Sequence, residues 1–212
     1  MTRGRKHAAK SSPRDAPQDE PRSTRWATRL ARNAVLWLIP VAVAWVLASP
    51  YYNIFLTRAT ENAVRLTESP SVSRLLTEGR HHFVVLRTDL PTASGFLGSV
   101  RVTDTHFPVM LMSILFLAVP GVALRRRAES LSMALILSAI FHIIALVLRV
   151  KFIYATQLGD WSLEHYGPFA RNAWGLAKHL ADLPFKFGVP VALWASFFLG
   201  DLLDAQRRPA GR

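Results

Sequence analysis

Residues 131–150 read LSMALILSAIFHIIALVLRV. This stretch decides the fold. Its only fixed charge is Arg149, next to its end, and its only other ionisable side chain is His142. A run of about 18 or more apolar residues is long enough to cross a hydrocarbon core of roughly 30 Å as a helix. Outward from it, Phe107 to Leu124 meets the same test. Ala34 to Ser49 is shorter, but it continues through Pro50 into Tyr51, Tyr52, Ile54, Phe55 and Leu56, and Pro40 is positioned to kink it. Phe187 to Leu203 is the least apolar run: it carries Asp201, and Lys186 at its start must snorkel outward. The expected fold is an all-α membrane protein, a bundle of four transmembrane helices at about 34–56, 107–124, 131–150 and 186–203 within a membrane domain of 34–203.

Charge gives the expected orientation. The net charge is +12. In a soluble protein this would suggest nucleic acid; here it follows the membrane pattern, and no nucleic-acid partner is expected. Of the 26 Lys and Arg, fifteen lie in residues 1–33, 125–130 and 207–212, and the eleven in 51–106 and 149–186 are offset by eight acids. Positive flanks stay cytoplasmic, and Arg125, Arg126 and Arg127 give the clearest local signal. Both termini are therefore expected in the cytoplasm, with the bilayer as the first partner. There is no cysteine, which excludes disulfides, thiolate zinc sites and cysteine nucleophiles in this chain.

The extramembrane parts differ in character. Residues 1–33 read as a basic cytoplasmic tail, disordered over its first 24 residues, where Pro13, Pro17 and Pro21 stand among charged residues. Residues 25–33 are compatible with an interfacial helix start, and 204–212 form a short cytoplasmic tail. A cleaved signal peptide is disfavoured by the long tail before the first span and by Pro50, Tyr51 and Tyr52 after it. Residues 57–106 form an outer cap. Helical spacing runs to about Arg65, Ser69-Pro70-Ser71 breaks it, and 73–78 reads as a short helical turn. The period then changes: Phe83 to Leu86 and Gly98 to Val102 are strand-like, separated by Pro91, Ser94 and Gly95. A helix-plus-hairpin cap is expected, with 82–87 pairing antiparallel to 98–103. At this size it must rest on something else. The outer loop 151–185 holds Trp161, Tyr166 and Trp174, and Pro168 to Leu183 reads as a surface helix with Phe169, Ala173, Leu176 and Leu180 toward lipid.

The residues closest to chemistry lie in the opening stretch. An ionisable group at membrane depth is costly and marks a functional candidate. Ser138, His142, Ala145 and Arg149 recur at helical spacing on one face, with His142 and Arg149 about 10 Å apart along the axis. They cannot touch, yet both can line one cavity. Alternatively, His142 is a neutral side chain bonded to a hydroxyl or carbonyl, and Arg149 snorkels to the outer headgroups. His81, His82, His106, His165 and His179 have no metal-ligand spacing, and no metal or other cofactor is expected. Glu61, Glu68, Glu78, Asp89, Asp104, Asp160 and Glu164 show no spacing that selects an acid–base pair. Arg101, Thr103, Asp104, Thr105 and His106 form a polar threshold to the second span, with a capping role for Asp104 or its neighbours. P-loop, dinucleotide, nucleophile-elbow and zincin motifs are missing.

The order of parts resembles the small multi-pass proteins that accompany bacterial exosortases, which process and anchor proteins bearing a C-terminal sorting signal. The resemblance rests on the long outer segment after the first span, Thr105-His106-Phe107-Pro108, Ala118-Val119-Pro120-Gly121, Arg125-Arg126-Arg127, His142, and Pro190-Val191-Ala192-Leu193-Trp194. It implies the inner membrane of a bacterium, an exosortase or another membrane protein as partner, and no reaction, since the enzymes themselves are proposed cysteine transpeptidases and this chain has no cysteine. Three classes follow: a non-catalytic accessory or scaffold, a small intramembrane enzyme built on Ser138, His142 and Arg149, and a transporter subunit.

Overall fold

The structure, a computed structural model, describes residues 22–207 apart from 70, 80, 88 and 90–95. The expected disordered tail over 1–21, the loop residues Pro91, Ser94 and Gly95, and the last residues of the C-terminal tail lie outside the described residues.

Helix α1 (Arg22–Leu66) runs 45 residues through both Pro40 and Pro50. At about 1.5 Å per residue it is roughly 68 Å long. It therefore starts inside the expected tail and ends inside the expected cap. Three strands follow: β1 (Ser73–Glu78), β2 (His82–Arg87) and β3 (Phe96–Arg101). A 3-10 turn (Thr103–Thr105) leads into α2 (His106–Ala118), and α3 (Leu124–Thr156) follows it. The short α4 (Asp160–His165) precedes α5 (Pro168–Leu180), which passes through a π-helical turn (Ala181–Phe185) into α6 (Lys186–Arg207).

Three of the described helical segments are long and apolar enough to cross a membrane: Thr24–Leu66, Leu124–Thr156 and Pro168–Asp201. Their apolar faces point outward. Val35, Ile39, Val46 and Leu47 on α1, and Ile136 and Ile140 on α3, are all at least half exposed. In water such faces would be costly; against lipid chains they are not, which is the arrangement of a membrane protein.

Several expected boundaries are corrected. The second apolar run does not stay helical to Leu124: α2 stops at Ala118, because Pro120 supplies no N–H and Gly121 takes φ 81° to turn the chain. Helix α3 begins at Leu124, seven residues before 131, with its arginines inside its first turns. The surface helix and the last span are one continuous helix. Pro184 is absorbed by the π turn, whose wider spacing accommodates a residue without a donor. Within it α5 keeps the expected exposed apolar face of Phe169, Leu176 and Leu180.

The cap is also different. Residues 73–78 are a strand, and the sheet has three strands in the order β1-β2-β3, both pairs antiparallel. The expected pairing of 82–87 with 98–103 is present in kind, but the partner strand is 96–101, with an irregularity at Val85 and Leu86. The sheet rests on the upper ends of α1 and α3. Leu75, Phe83, Val85, Val100 and Val102 pack with Leu56, Val64, Leu146, Val150, Ile153 and Tyr154 in one core. Burying side chains of this size contributes about 1.5–3 kcal/mol each. Helix α1 and the turn after it also satisfy the edge strand: Glu61 of α1 accepts from the Leu75 N–H at 2.9 Å, and Glu68 of the turn from the Ser73 N–H at 3.2 Å.

The other end has its own core, with Met112, Phe116, Val119, Ala134 and Phe198 packed together. There the free carbonyls of α2 are capped by side chains: Asn33 donates to Ala118 O at 3.1 Å and Arg127 to Leu117 O at 2.6 Å. Arg126 pairs with Asp201 at 3.1 Å and Arg125 with Glu129 at 2.8 Å. The two ends are thus distinct, one marked by the arginine triplet and one by the sheet.

Candidate functional site

Helix α3 brings Ser138, His142 and Arg149 into the lining of one narrow pocket. Helical spacing alone puts them on one face; Pro108 of α2 and Phe185, Val189 and Pro190 of the last helix close it. Its volume is about 40 Å³, room for about one to three water molecules. At its inner end Ser138 is 1% exposed, and its Oγ has no hydrogen-bond partner among the described residues.

His142 is held from the side by α1. Its Nδ1 lies 2.7 Å from the Tyr52 hydroxyl, and the two rings meet edge-on with centroids 6.2 Å apart. Trp45 packs edge-on against both Tyr52 and His106, and His106 Nε2 lies 2.8 Å from Asn53 Oδ1. Trp45, Tyr52 and Asn53 of α1 thereby contact a histidine on each of two neighbouring helices. His142 thus both lines the pocket and meets a hydroxyl, so each reading of it finds a feature it expected.

Arg149 lines the same pocket, and its guanidinium is held within the protein. Its Nε and Nη2 donate to Asp182 Oδ1 at 2.9 and 2.6 Å, and its Nη1 to Asp104 Oδ2 at 3.0 Å and Arg101 O at 3.1 Å. Lys178 completes the chain with a 2.7 Å bond to Asp182 Oδ2. Two carboxylates at hydrogen-bond distance outcompete a distant headgroup for the guanidinium. Asp104 is therefore an ion-pair partner and not a helix cap; Thr105, at the cap position, bonds back to Val102 O. The chain Asp104–Arg149–Asp182–Lys178 joins the 3-10 turn before α2, the sheet-side part of α3, the π turn and α5. On its other side, toward the sheet, a second groove of about 240 Å³ is lined by Ser99, Arg101, Gln157 and the same ionic groups.

A further polar cluster lies beneath the sheet. Arg87, 8% exposed, sits with its guanidinium 5.0 Å from the Tyr154 ring centre and 4.9 Å from that of Trp161. It donates to both oxygens of Asp89, at 2.9 and 2.7 Å, and lies 3.9 Å from Glu68. The hydrogen bond to Asp89 raises the guanidinium pKa above its ordinary value, and the same bond holds Asp89 below the usual carboxylate range. Ser73 Oγ donates to Glu68 Oε1 at 2.6 Å and lies 2.5 Å from the Tyr154 hydroxyl. Ser73 is fully buried, so no substrate reaches it.

The chemistry available is limited by these partnerships. An activated nucleophile needs a base within hydrogen-bond reach, and among the described residues the Ser138 hydroxyl has no hydrogen-bond partner. Among the described residues no group of three or more His, Asp or Glu side chains is placed to hold a metal ion. Sequence reasoning missed Tyr52, Asp182 and the Arg87 cluster. One signal for Arg87 was present: it follows Phe83 and Val85 at the two-residue spacing of the inward face of β2. No family model matches the chain, and no curated protein or solved structure matches it.

Proposed function

We propose that this chain is a non-catalytic accessory protein of the bacterial inner membrane, a scaffold that supports exosortase-type sorting of surface proteins. It crosses the bilayer four times, with α2 as the short span, both termini in the cytoplasm and the sheet outside. The observation that carries the reading is the engagement of its costly ionisable groups: Arg149 is tied to Asp104 and Asp182, and His142 to Tyr52. These contacts knit helices together. The four-pass arrangement is supported by the end-to-end contacts, Asn33 with Ala118 and Arg126 with Asp201 at one end, Asn53 with His106 and Arg149 with Asp182 at the other. Sidedness rests on the arginine triplet.

A second reading, an intramembrane enzyme, draws on the pocket that gathers Ser138, His142 and Arg149. The two part at His142→Gln and Ser138→Ala, because Arg149 is needed for the fold under either. The test of the scaffold is capture: the tagged full chain, solubilised from membranes of its own bacterium, should retain an exosortase identified by mass spectrometry. Reporter fusions after Arg127 should read cytoplasm, and fusions at Gly167 should read outside. Absence of any exosortase, or an external Arg127, overturns the assignment.

A further inference from the structure

Among the described residues, three arginines stand partly or fully buried in the half of the molecule that carries the sheet. Arg87 and Arg149 each meet two carboxylates. Arg171, in the first turns of α5, meets none among the described residues, and its Nε is buried without a hydrogen-bond partner. A guanidinium carries five donors in a planar fork and stays charged, so removing one donor from water without an acceptor is costly.

The surroundings make a site. Helix α5 packs back along the last turns of α3, where a Cβ added at Gly175 would stand at ordinary contact distance, 3.7 Å, from the Phe152 ring. Between the two helices lies an open groove of about 590 Å³, within the range of small-ligand sites. Phe152 and Gly175 line its floor, and Thr156, Arg171, Asn172 and His179 line it with polar groups. Among these six there is no carboxylate. The side chains offer a fixed cation and further hydrogen-bond donors, the recognition set for a tetrahedral or planar oxyanion. The apolar outer face of α5, with Phe169 86% and Leu176 63% exposed, lies on the same helix.

We propose that this groove is a phosphate-binding site, in which Arg171 donates to the phosphate oxygens and the Asn172 amide adds donors. The phosphate comes from the headgroup of an outer-leaflet lipid or from a free phosphate ester. This goes beyond the scaffold reading, and it stands whether or not an exosortase is the partner.

The test is calorimetric titration of the purified full chain in a non-ionic detergent. The probes are dihexanoyl phosphatidylglycerol, dihexanoyl phosphatidylcholine and inorganic phosphate, each against wild type, Arg171→Gln and Arg171→Lys. Saturable binding weakened about tenfold or more in Arg171→Gln, with an intermediate value in Arg171→Lys, is expected. If phosphatidylglycerol shows this and inorganic phosphate does not bind, the source is a lipid headgroup. If inorganic phosphate binds with the same dependence, a free phosphate suffices. Melting curves check the fold, and should Arg171→Gln not fold, Arg171→Lys alone must still lower affinity. No saturable binding of any probe, or binding unaffected by the Arg171 variants, overturns the proposal.

Discussion

Arg87 and Arg149 face the same difficulty, a guanidinium drawn out of water, and meet it differently. Arg87 finds Asp89 two residues away and Glu68 at the turn before β1, with two aromatic faces against its own. Its partners lie within the cap or beneath it, at the end of α3 and on α4, so it organises a local unit. Arg149 reaches Asp104 and Asp182, 45 and 33 residues away in the chain. It fixes three helical elements relative to one another. A buried ion pair seldom stabilises a fold more than a well-packed apolar replacement, but removing one partner strands the other. The cost of each deletion should therefore appear where the stranded carboxylates are.

The largest effect is expected at Arg87. Arg87→Met leaves Glu68, whose side chain is 5% exposed, sealed beneath the sheet without its cation. The expected loss is about 3–5 kcal/mol, confined to the cap. Hydrogen exchange should accelerate across β1 and β2 while α3 keeps its protection. Equal acceleration throughout would show that the cap and the helices melt as one unit.

Arg149→Met comes next, at about 2–3 kcal/mol, less because Asp104 and Asp182 are 34% and 23% exposed and regain water. Here the sheet should keep its protection, while α2, α5 and the π turn lose theirs and membrane abundance falls. A variant that melts like wild type would mean that the ionic chain is ornamental to the fold.

A smaller effect separates the partners of Arg87. The bond from Arg87 holds Asp89 below the usual carboxylate range. A lowered folded-state pKa contributes stability that is complete above the unfolded value, about 3.9, and is lost as pH falls through the folded value. Asp89→Asn should cost about 1 kcal/mol at pH 7, since Asp89 is 31% exposed, and should flatten the loss of stability below about pH 4. An unchanged acid limb would place that pH dependence elsewhere.

The contrast between the two regions also explains what could be read in advance. The long apolar runs were legible because lipid demands an uninterrupted stretch, and 131–150 has one. Strand β1 was not: in Ser73 to Glu78 only Ser73 and Leu75 point inward, and a buried serine breaks the apolar alternation that marks a strand. Its hydroxyl is satisfied by Glu68 and Tyr154, partners 5 and 81 residues away. The stripe of Ser138, His142 and Arg149 was legible because helical spacing is local. That Arg149 is answered by Asp182, and His142 by Tyr52, was not, because those pairings depend on how helices pack. Asp104 was visible as one of seven acids, and only the fold selects it.

The smallest expected effect decides the most. If His142 serves packing, His142→Gln retains a hydrogen bond to Tyr52, and an intramembrane bond of this kind is worth about 0.6 kcal/mol; Ser138→Ala removes a hydroxyl that bonds nothing among the described residues. The measurement is surface anchoring of an exosortase substrate in a deletion strain carrying either the wild type or the Ser138→Ala, His142→Gln double variant, scored at equal membrane abundance. The scaffold account predicts that deletion abolishes anchoring and that the double variant restores it to the wild-type level. Failure of the double variant at normal abundance, or anchoring that survives deletion of the protein, would contradict it.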